Sequence, residues 1–363
     1  MKPTFDKIHL RFRLNGIHFN REELKEVAYS FIKEGAHHEH ITGDFLLDWV
    51  NDKPYIHVNT SGSTGNPKRI RLLKQHMVNS ALASGDFFGI SVGDSALHCL
   101  PTNFIAGKMM LVRAMILGLE IDLVEPTANP MAETEKKYDF SAMTPFQAKN
   151  SLDHLDRIKK LIVGGAMVTK KLIKAFQHKQ THIYETYGMT ETVTHIAAKQ
   201  LNGFDDPGAA SKAYFKILPH IKISQDKRNC LVIEAPEILE TPIVTNDMVK
   251  LISDDGFEWI GRYDNVINSG GIKLIPEQIE GKLAAAIPNR FFVSGIPDEA
   301  LGEKLILVVE GSDNDEMAML KAIKALKTLQ RFEIPKAIYF VNTFEETENG
   351  KIIREKSLEK IRI

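Results

Sequence analysis

Residues Tyr55-Ile56-His57-Val58-Asn59-Thr60-Ser61-Gly62-Ser63-Thr64-Gly65-Asn66-Pro67-Lys68 change character part-way along. The first four read as a short β-strand. The nine from Thr60 to Lys68 carry four hydroxyls, two glycines, a proline and a lysine, which no regular element accommodates. Such a loop offers bare backbone N–H groups and hydroxyls to phosphate oxygens, and Lys68 adds charge. It is not a Walker A loop, because counting from Gly62 that pattern needs a glycine where Pro67 stands. A plain surface turn would tolerate these residues but rarely needs all of them.

Working outward, the downstream segment 72–88 reads as a helix. Apolar runs Ala96–Leu100, Ile121–Val124 and Leu161–Val163 then alternate with helix-like stretches, the pattern of βαβ units around a mostly parallel sheet. Upstream, Ile8–Leu14 reads as a strand, and Glu22–Glu34 as a helix opened by a capping box of Asn20 and Glu23. After Gly203, short strands at close spacing (Ile217–Ile223, Cys230–Ala235, Met248–Ile252) suggest a β-rich subdomain, with Asp254-Asp255-Gly256 as a hairpin turn. Beyond a polar segment at Gly261–Lys273, a compact α+β unit is expected. The expected organisation is therefore α/β. A large N-terminal domain (1–263) with mostly parallel sheets is joined by a hinge to a small α+β C-terminal domain (264–363).

Composition excludes several classes. The chain has 363 residues, 46 Lys+Arg against 47 Asp+Glu, and a formal charge of -1, so no general attraction to nucleic acid or anionic membrane is expected. At 43% hydrophobic and 26% charged it has the balance of a globular enzyme rather than a disordered chain. Two distant cysteines, Cys99 and Cys230, exclude a disulfide scaffold. The first residues lack the apolar core of a signal peptide, and the apolar stretch 109–126 is broken by Arg113, Glu120 and Asp122. A cytoplasmic location without membrane insertion is expected. His37-His38-Glu39-His40 has the residue types of a metal site but lies too close together in sequence to complete one.

Thr60–Lys68 resembles the phosphate-binding loop of the adenylate-forming superfamily, which includes acyl-CoA synthetases, adenylation domains and luciferases. Further segments resemble that superfamily's motifs in its order: Gly164-Gly165-Ala166, Tyr187-Gly188-Met189-Thr190-Glu191-Thr192, Thr245-Asn246-Asp247 with Asn246 where relatives have glycine, Gly261–Lys273, and Asn349-Gly350-Lys351-Ile352-Ile353-Arg354. The segments around Leu100–Arg113, Tyr187–Ala197 and Asn268–Pro276 look most like compact o-succinylbenzoate–CoA ligases of menaquinone synthesis. The N-terminal part before the loop is shorter than in larger relatives.

The resemblance implies an acid–CoA ligase that uses ATP, Mg²⁺ and coenzyme A on a small-molecule carboxylic acid. The carboxylate is first joined to AMP, and the CoA thiol then displaces AMP. It implies that Thr60, Ser61, Gly62, Ser63, Thr64, Gly65 and Lys68 hold phosphates, and that Gly165, Ala166, Tyr187 and Gly188 border the adenine. Thr190 would bond the α-phosphate and Glu191 would hold Mg²⁺. Asp247 would accept from the ribose hydroxyls, with Arg262 in support. Lys351 would stand between carboxylate and α-phosphate. A cation ~4 Å from developing charge is worth ~4 kcal/mol at an effective dielectric of ~20, or about three decades in rate. Asp264 matches the hinge, and Gly270 and Gly271 the face along which the pantetheine arm enters. Phe104 and Lys108 would line the acid pocket. Of Lys108 and Arg113, five residues apart on one expected helix, at most one should point inward, and Lys108 is the expected one. Another aryl or short-chain acid, loading of a carrier protein, or a silent nucleotide-binding relative remain alternatives to o-succinylbenzoate activation.

Overall fold

A computed structural model describes residues 2–59, 68–132, 134–204, 213–311, 316–347 and 351–361. Among these, thirteen strands form one sheet. In spatial order they are Lys222–Gln225, Cys230–Glu234, Ile243–Ser253, Gly256–Arg262, Phe215–Ile217, His195–Gln200, His182–Gly188, Ile158–Val163, Tyr138–Met143, Ser95–His98, Glu120–Leu123, Arg13–Leu14 and Ile17–His18. From His182–Gly188 to Arg13–Leu14 neighbouring strands run parallel. Their residues are largely buried, as expected for strands covered on both faces.

The β-rich stretch is not a detached subdomain. His195–Gln200 folds back antiparallel on His182–Gly188 and passes the ladder on to Phe215–Ile217, so the antiparallel half continues the parallel half. Asp254-Asp255 is the tight turn between Ile243–Ser253 and Gly256–Arg262, as expected.

Local chemistry sets the helices. Arg21–Glu34 starts where Asn20 accepts from the Glu22 and Glu23 N–H groups and Glu23 returns a bond to the Asn20 N–H. His37–Val50 is a second helix whose first turn holds the histidine run; His40 lies 3.6 Å from Asp44. No three metal-binding side chains converge among the described residues. Lys74–Phe88 begins later than the sequence suggests, because Arg69–Leu73 is a strand paired with Tyr55–Asn59. Upstream, only Arg13–Leu14 of the expected first strand enters the sheet. Ile105–Leu117 is apolar on nearly every side and sits in the core, with Met109, Met110, Leu111 and Met115 fully buried. Each such side chain contributes about 1.5–3 kcal/mol. No described helix is long and apolar enough to cross a membrane.

Five further strands form a separate sheet: Ile272–Leu274, Ile267–Ser269, Gly302–Glu310 and Phe291–Asp298 in order, with Ala337–Val341 parallel to Gly302–Glu310. Helix Pro276–Leu283 packs on it. Buried apolar residues up to Phe257 form two core clusters, and those from Ile267 onward form two others. Lys170 donates to the Gly281 carbonyl (2.9 Å) where the two sheets' units meet, and Asn265 donates to Glu277 at the start of the small unit.

Candidate active site

Two parallel strand ends make the floor of the site. Val163 lies beside Glu185, so Gly164-Gly165-Ala166 and Tyr187-Gly188 emerge together. A Cβ on Gly164 would lie 2.3 Å from Thr186 Oγ1, so only glycine lets these ends approach. Gly165 has φ +85° with nothing near its missing Cβ, leaving bare backbone in open space. A flat base could lie there.

The turn after Gly188 is tightly specified. Thr192 Oγ1 accepts from the Met189 N–H (3.0 Å) and lies 2.8 Å from the Thr194 carbonyl. Val193 adopts φ +66°, which is unfavourable for a β-branched residue and marks a held conformation. Thr190 is half-buried and Glu191 exposed on this turn. An exposed carboxylate suits Mg²⁺, which takes one or two protein carboxylates and completes its shell with water and phosphate oxygens.

Asp247 is the centre of the polar network. Tyr187 Oη donates to its Oδ2 (2.7 Å) and Trp259 Nε1 to its Oδ1 (3.2 Å). Two acceptor directions on the carboxylate remain, enough for a pair of vicinal hydroxyls. Burial, and then the Asp247 charge, push the Tyr187 phenol up, so it stays a donor. The Tyr187 ring packs edge-on to Phe257 at 5.1 Å. Trp259, missed in the sequence, lies outside every motif; its position on the strand opposite Asp247 is the only signal that could have found it.

Asp247 pairs across the hairpin with Arg262. Burial lowers the Arg262 pKa, but Asp264 and Asp247 outweigh it and the net shift is upward. Arg262 Nη2 lies 2.9 Å from Asp264 Oδ2. Asn246 sits within the extended strand Ile243–Ser253 and outside the positive-φ region, so the backbone needs no glycine here.

Lys351 comes from the small unit yet feels both Arg262 and Asp247. Crowding by protein, then Arg262, hold its ammonium below the ordinary 10.5, while Asp247 pulls upward. Lys351 itself is exposed to solvent. Arg354, three residues on, donates to the Val293 carbonyl (3.0 Å) and to Glu280 (3.0 Å), anchoring this segment to the small sheet. Gly270 (φ +57°) and Gly271 (φ +80°) form the exposed two-residue turn between Ile267–Ser269 and Ile272–Leu274, where two positive φ values require glycine-like residues. Thr60, Ser61, Gly62, Ser63, Thr64 and Gly65 lie outside the described residues, as does Gly350; Lys68 is exposed just before Arg69–Leu73.

In the acid-pocket segment the two cations differ from expectation. Phe104 is half-buried at the start of Ile105–Leu117. Lys108 does not turn inward with it. Its Nζ donates to the Thr102 carbonyl (2.7 Å) and sits over the Phe45 ring (5.0 Å), on the side of Asp44 and Asp48. Arg113 is the inward cation. It is 1% exposed, and its Nη2 lies 3.4 Å from His195 Nδ1. Burial, then Arg113, lower the His195 pKa, so its ring is neutral. With Nδ1 accepting from Arg113, Nε2–H donates to Ser84 Oγ (3.2 Å), and Ser84 to the Ser80 carbonyl (2.9 Å). Arg113 Nε is left without a partner. His195 also lines a small cavity with Asn79, Ser80, Ala83 and Leu218. A buried guanidinium with a spare N–H is a strong binder for an anion. In a helix apolar all round, a cation in its middle must be buried, and that was the available signal.

The family of AMP-binding enzymes matches residues 28–228. The chain belongs to that family. A solved AMP-forming acyl-CoA synthetase/AMP-acid ligase II-like protein from Dyadobacter fermentans is 35% identical, with 93% of this AMP-binding enzyme and 98% of that chain aligned at a TM-score of 0.60. The 2-succinylbenzoate–CoA ligase of Listeria monocytogenes is 24% identical, covering 92% of this chain and 75% of that protein. The o-succinylbenzoate CoA synthetase of Bacillus subtilis, solved with the acyl-adenylate OSB-AMP, is 20% identical over 84% of this chain and 69% of its own, with a TM-score of 0.73. At that identity it speaks to the fold.

Proposed function

We propose that this AMP-binding enzyme is an AMP-forming acid–CoA ligase whose acid is o-succinylbenzoate. The observation that carries the reading is the tethered carboxylate of Asp247, held by Tyr187 and Trp259 and paired across the hairpin with Arg262, with Lys351 of the other unit near enough to feel both charges. A module that only binds nucleotide has no need of that lysine. The named relatives above support the acid and the thioester product, and Arg113 suits a dicarboxylate: one carboxylate reacts while the guanidinium holds the other.

In the first half-reaction a carboxylate oxygen attacks the α-phosphorus of ATP and pyrophosphate leaves. Tyr187 and Trp259 fix Asp247 so that it meets the ribose hydroxyls. Thr190 bonds the α-phosphate. Lys351 offsets the repulsion between the two anions as they close. Magnesium, which Glu191 would hold, supplies further charge neutralisation. The chain divides between Tyr263 and Asp264, and the small unit then turns about Asp264 to present Gly270-Gly271. The CoA thiolate attacks the acyl carbon along that face, and AMP leaves. The proposed use of ATP and CoA supports a cytoplasmic location.

The test is CoA-dependent AMP release from ATP and Mg²⁺ by the purified protein with a panel of acids. Preference for o-succinylbenzoate supports both class and acid; AMP release with another acid keeps the class and removes the acid; none from any acid removes the reading.

A further inference from the structure

The linker that joins the two units is fastened through the side chain of Asn246. Asn246 Nδ2 donates to Asp264 Oδ2 (3.0 Å), and Arg228 Nη1 donates to Asn246 Oδ1 (2.9 Å). Both ends of the amide are thus used. Arg228 is itself fixed: its Nε meets Asp226 Oδ2 (2.7 Å), its Nη2 donates to the Thr245 carbonyl (3.2 Å), and its guanidinium lies 5.1 Å over the Tyr263 ring. Asp264 also takes a bond from Arg262 (2.9 Å). One arginine therefore grips the strand bearing Asp247 and the first linker residue together. Asn246 extends that grip to Asp264.

We propose that Asn246 and Arg228 are positioning residues, a latch that holds Asp264 and thereby biases this chain toward the orientation in which Lys351 faces Asp247. The inference rests on the ligase reading above and adds to it a device for partitioning the two half-reactions. Glycine has no side chain to bridge Arg228 and Asp264, so Asn246→Gly would leave Asp264 held by Arg262 alone. The latch must open before Gly270-Gly271 can reach the thioester-forming position. Its two bonds are each charge-assisted but not deeply buried, which suits an interaction that is made and broken in each turnover.

Asn246→Gly removes both bonds, and Asn246→Asp keeps the Arg228 partner while setting a like charge against Asp264. Three readouts on the full chain test the latch. Trypsin cleavage after Arg262, without any substrate, should quicken about fivefold in Asn246→Gly and more in Asn246→Asp, since opening the linker governs access. Pyrophosphate release with ATP, Mg²⁺ and o-succinylbenzoate should slow about threefold to tenfold in the same order. Thioester formation from prepared o-succinylbenzoyl-adenylate and CoA should be unchanged or faster. Unaltered cleavage and unaltered adenylation would overturn the proposal, as would an equal fall in both half-reactions. If the unsubstituted protein forms no adenylate from any acid, the ligase reading fails, and the cleavage order alone decides whether the latch exists.

Discussion

Tyr187 Oη and Trp259 Nε1 hold the two oxygens of Asp247 at 2.7 and 3.2 Å, although the three residues sit on different strands. Asp247 is thus oriented before any nucleotide arrives. Tyr187→Phe keeps the ring against Phe257 and removes one tether. The apparent KM for ATP should rise about fivefold to tenfold with kcat little changed, as for one hydrogen bond worth about 1 kcal/mol. Steady-state kinetics at varied ATP measure this, and an unchanged KM would mean the tether does not orient Asp247.

Under the proposed function, Arg113 is the buried cation that would hold a second carboxylate. Arg113→Met preserves bulk in the buried helix and removes the charge. The kcat/KM for o-succinylbenzoate should fall about tenfold to a hundredfold, the range for a hydrogen bond to a charged group. That for 4-oxo-4-phenylbutanoate, which lacks the ring carboxylate, should change far less. Equal losses on both acids would remove the assignment.

Much of this was legible in the chain. The Asn20–Glu23 cap, the apolar run Leu161–Val163 that ends a buried strand and the Asp254-Asp255 turn each follow from local chemistry that needs no partner. The choice between Lys108 and Arg113 did not. Five-residue spacing says the two diverge, but a helix with no polar face gives no direction. Position decides it: Lys108, in the first turn, can reach back to the Thr102 carbonyl, whereas Arg113, two turns in, is surrounded. The join between the parallel and antiparallel halves was equally hidden, because it depends on His195–Gln200 reversing beside His182–Gly188 across a turn that includes Val193 at positive φ. The Arg228–Asn246–Asp264 chain joins residues far apart in sequence, and Arg228 lies in no motif that would announce it.

Lys108 makes a stability prediction. Burial lowers its pKa to about 8 from 10.5. Between those values the unfolded chain binds more protons at this residue than the folded one, so its contribution to stability rises with pH from about 8 to 10.5 and is level below 8. Lys108→Met should flatten that rise in denaturant midpoints measured from pH 7 to 10.5. It should leave the KM for o-succinylbenzoate unchanged. A raised KM would return Lys108 to the acid pocket.

The central claim is that Lys351 acts in one half-reaction only. In Lys351→Ala, single-turnover formation of the acyl-adenylate from ATP and o-succinylbenzoate should drop by about two to four decades. Thioester formation from supplied adenylate and CoA should stay within about threefold of the unsubstituted protein. Loss of both half-reactions to the same extent would contradict the account.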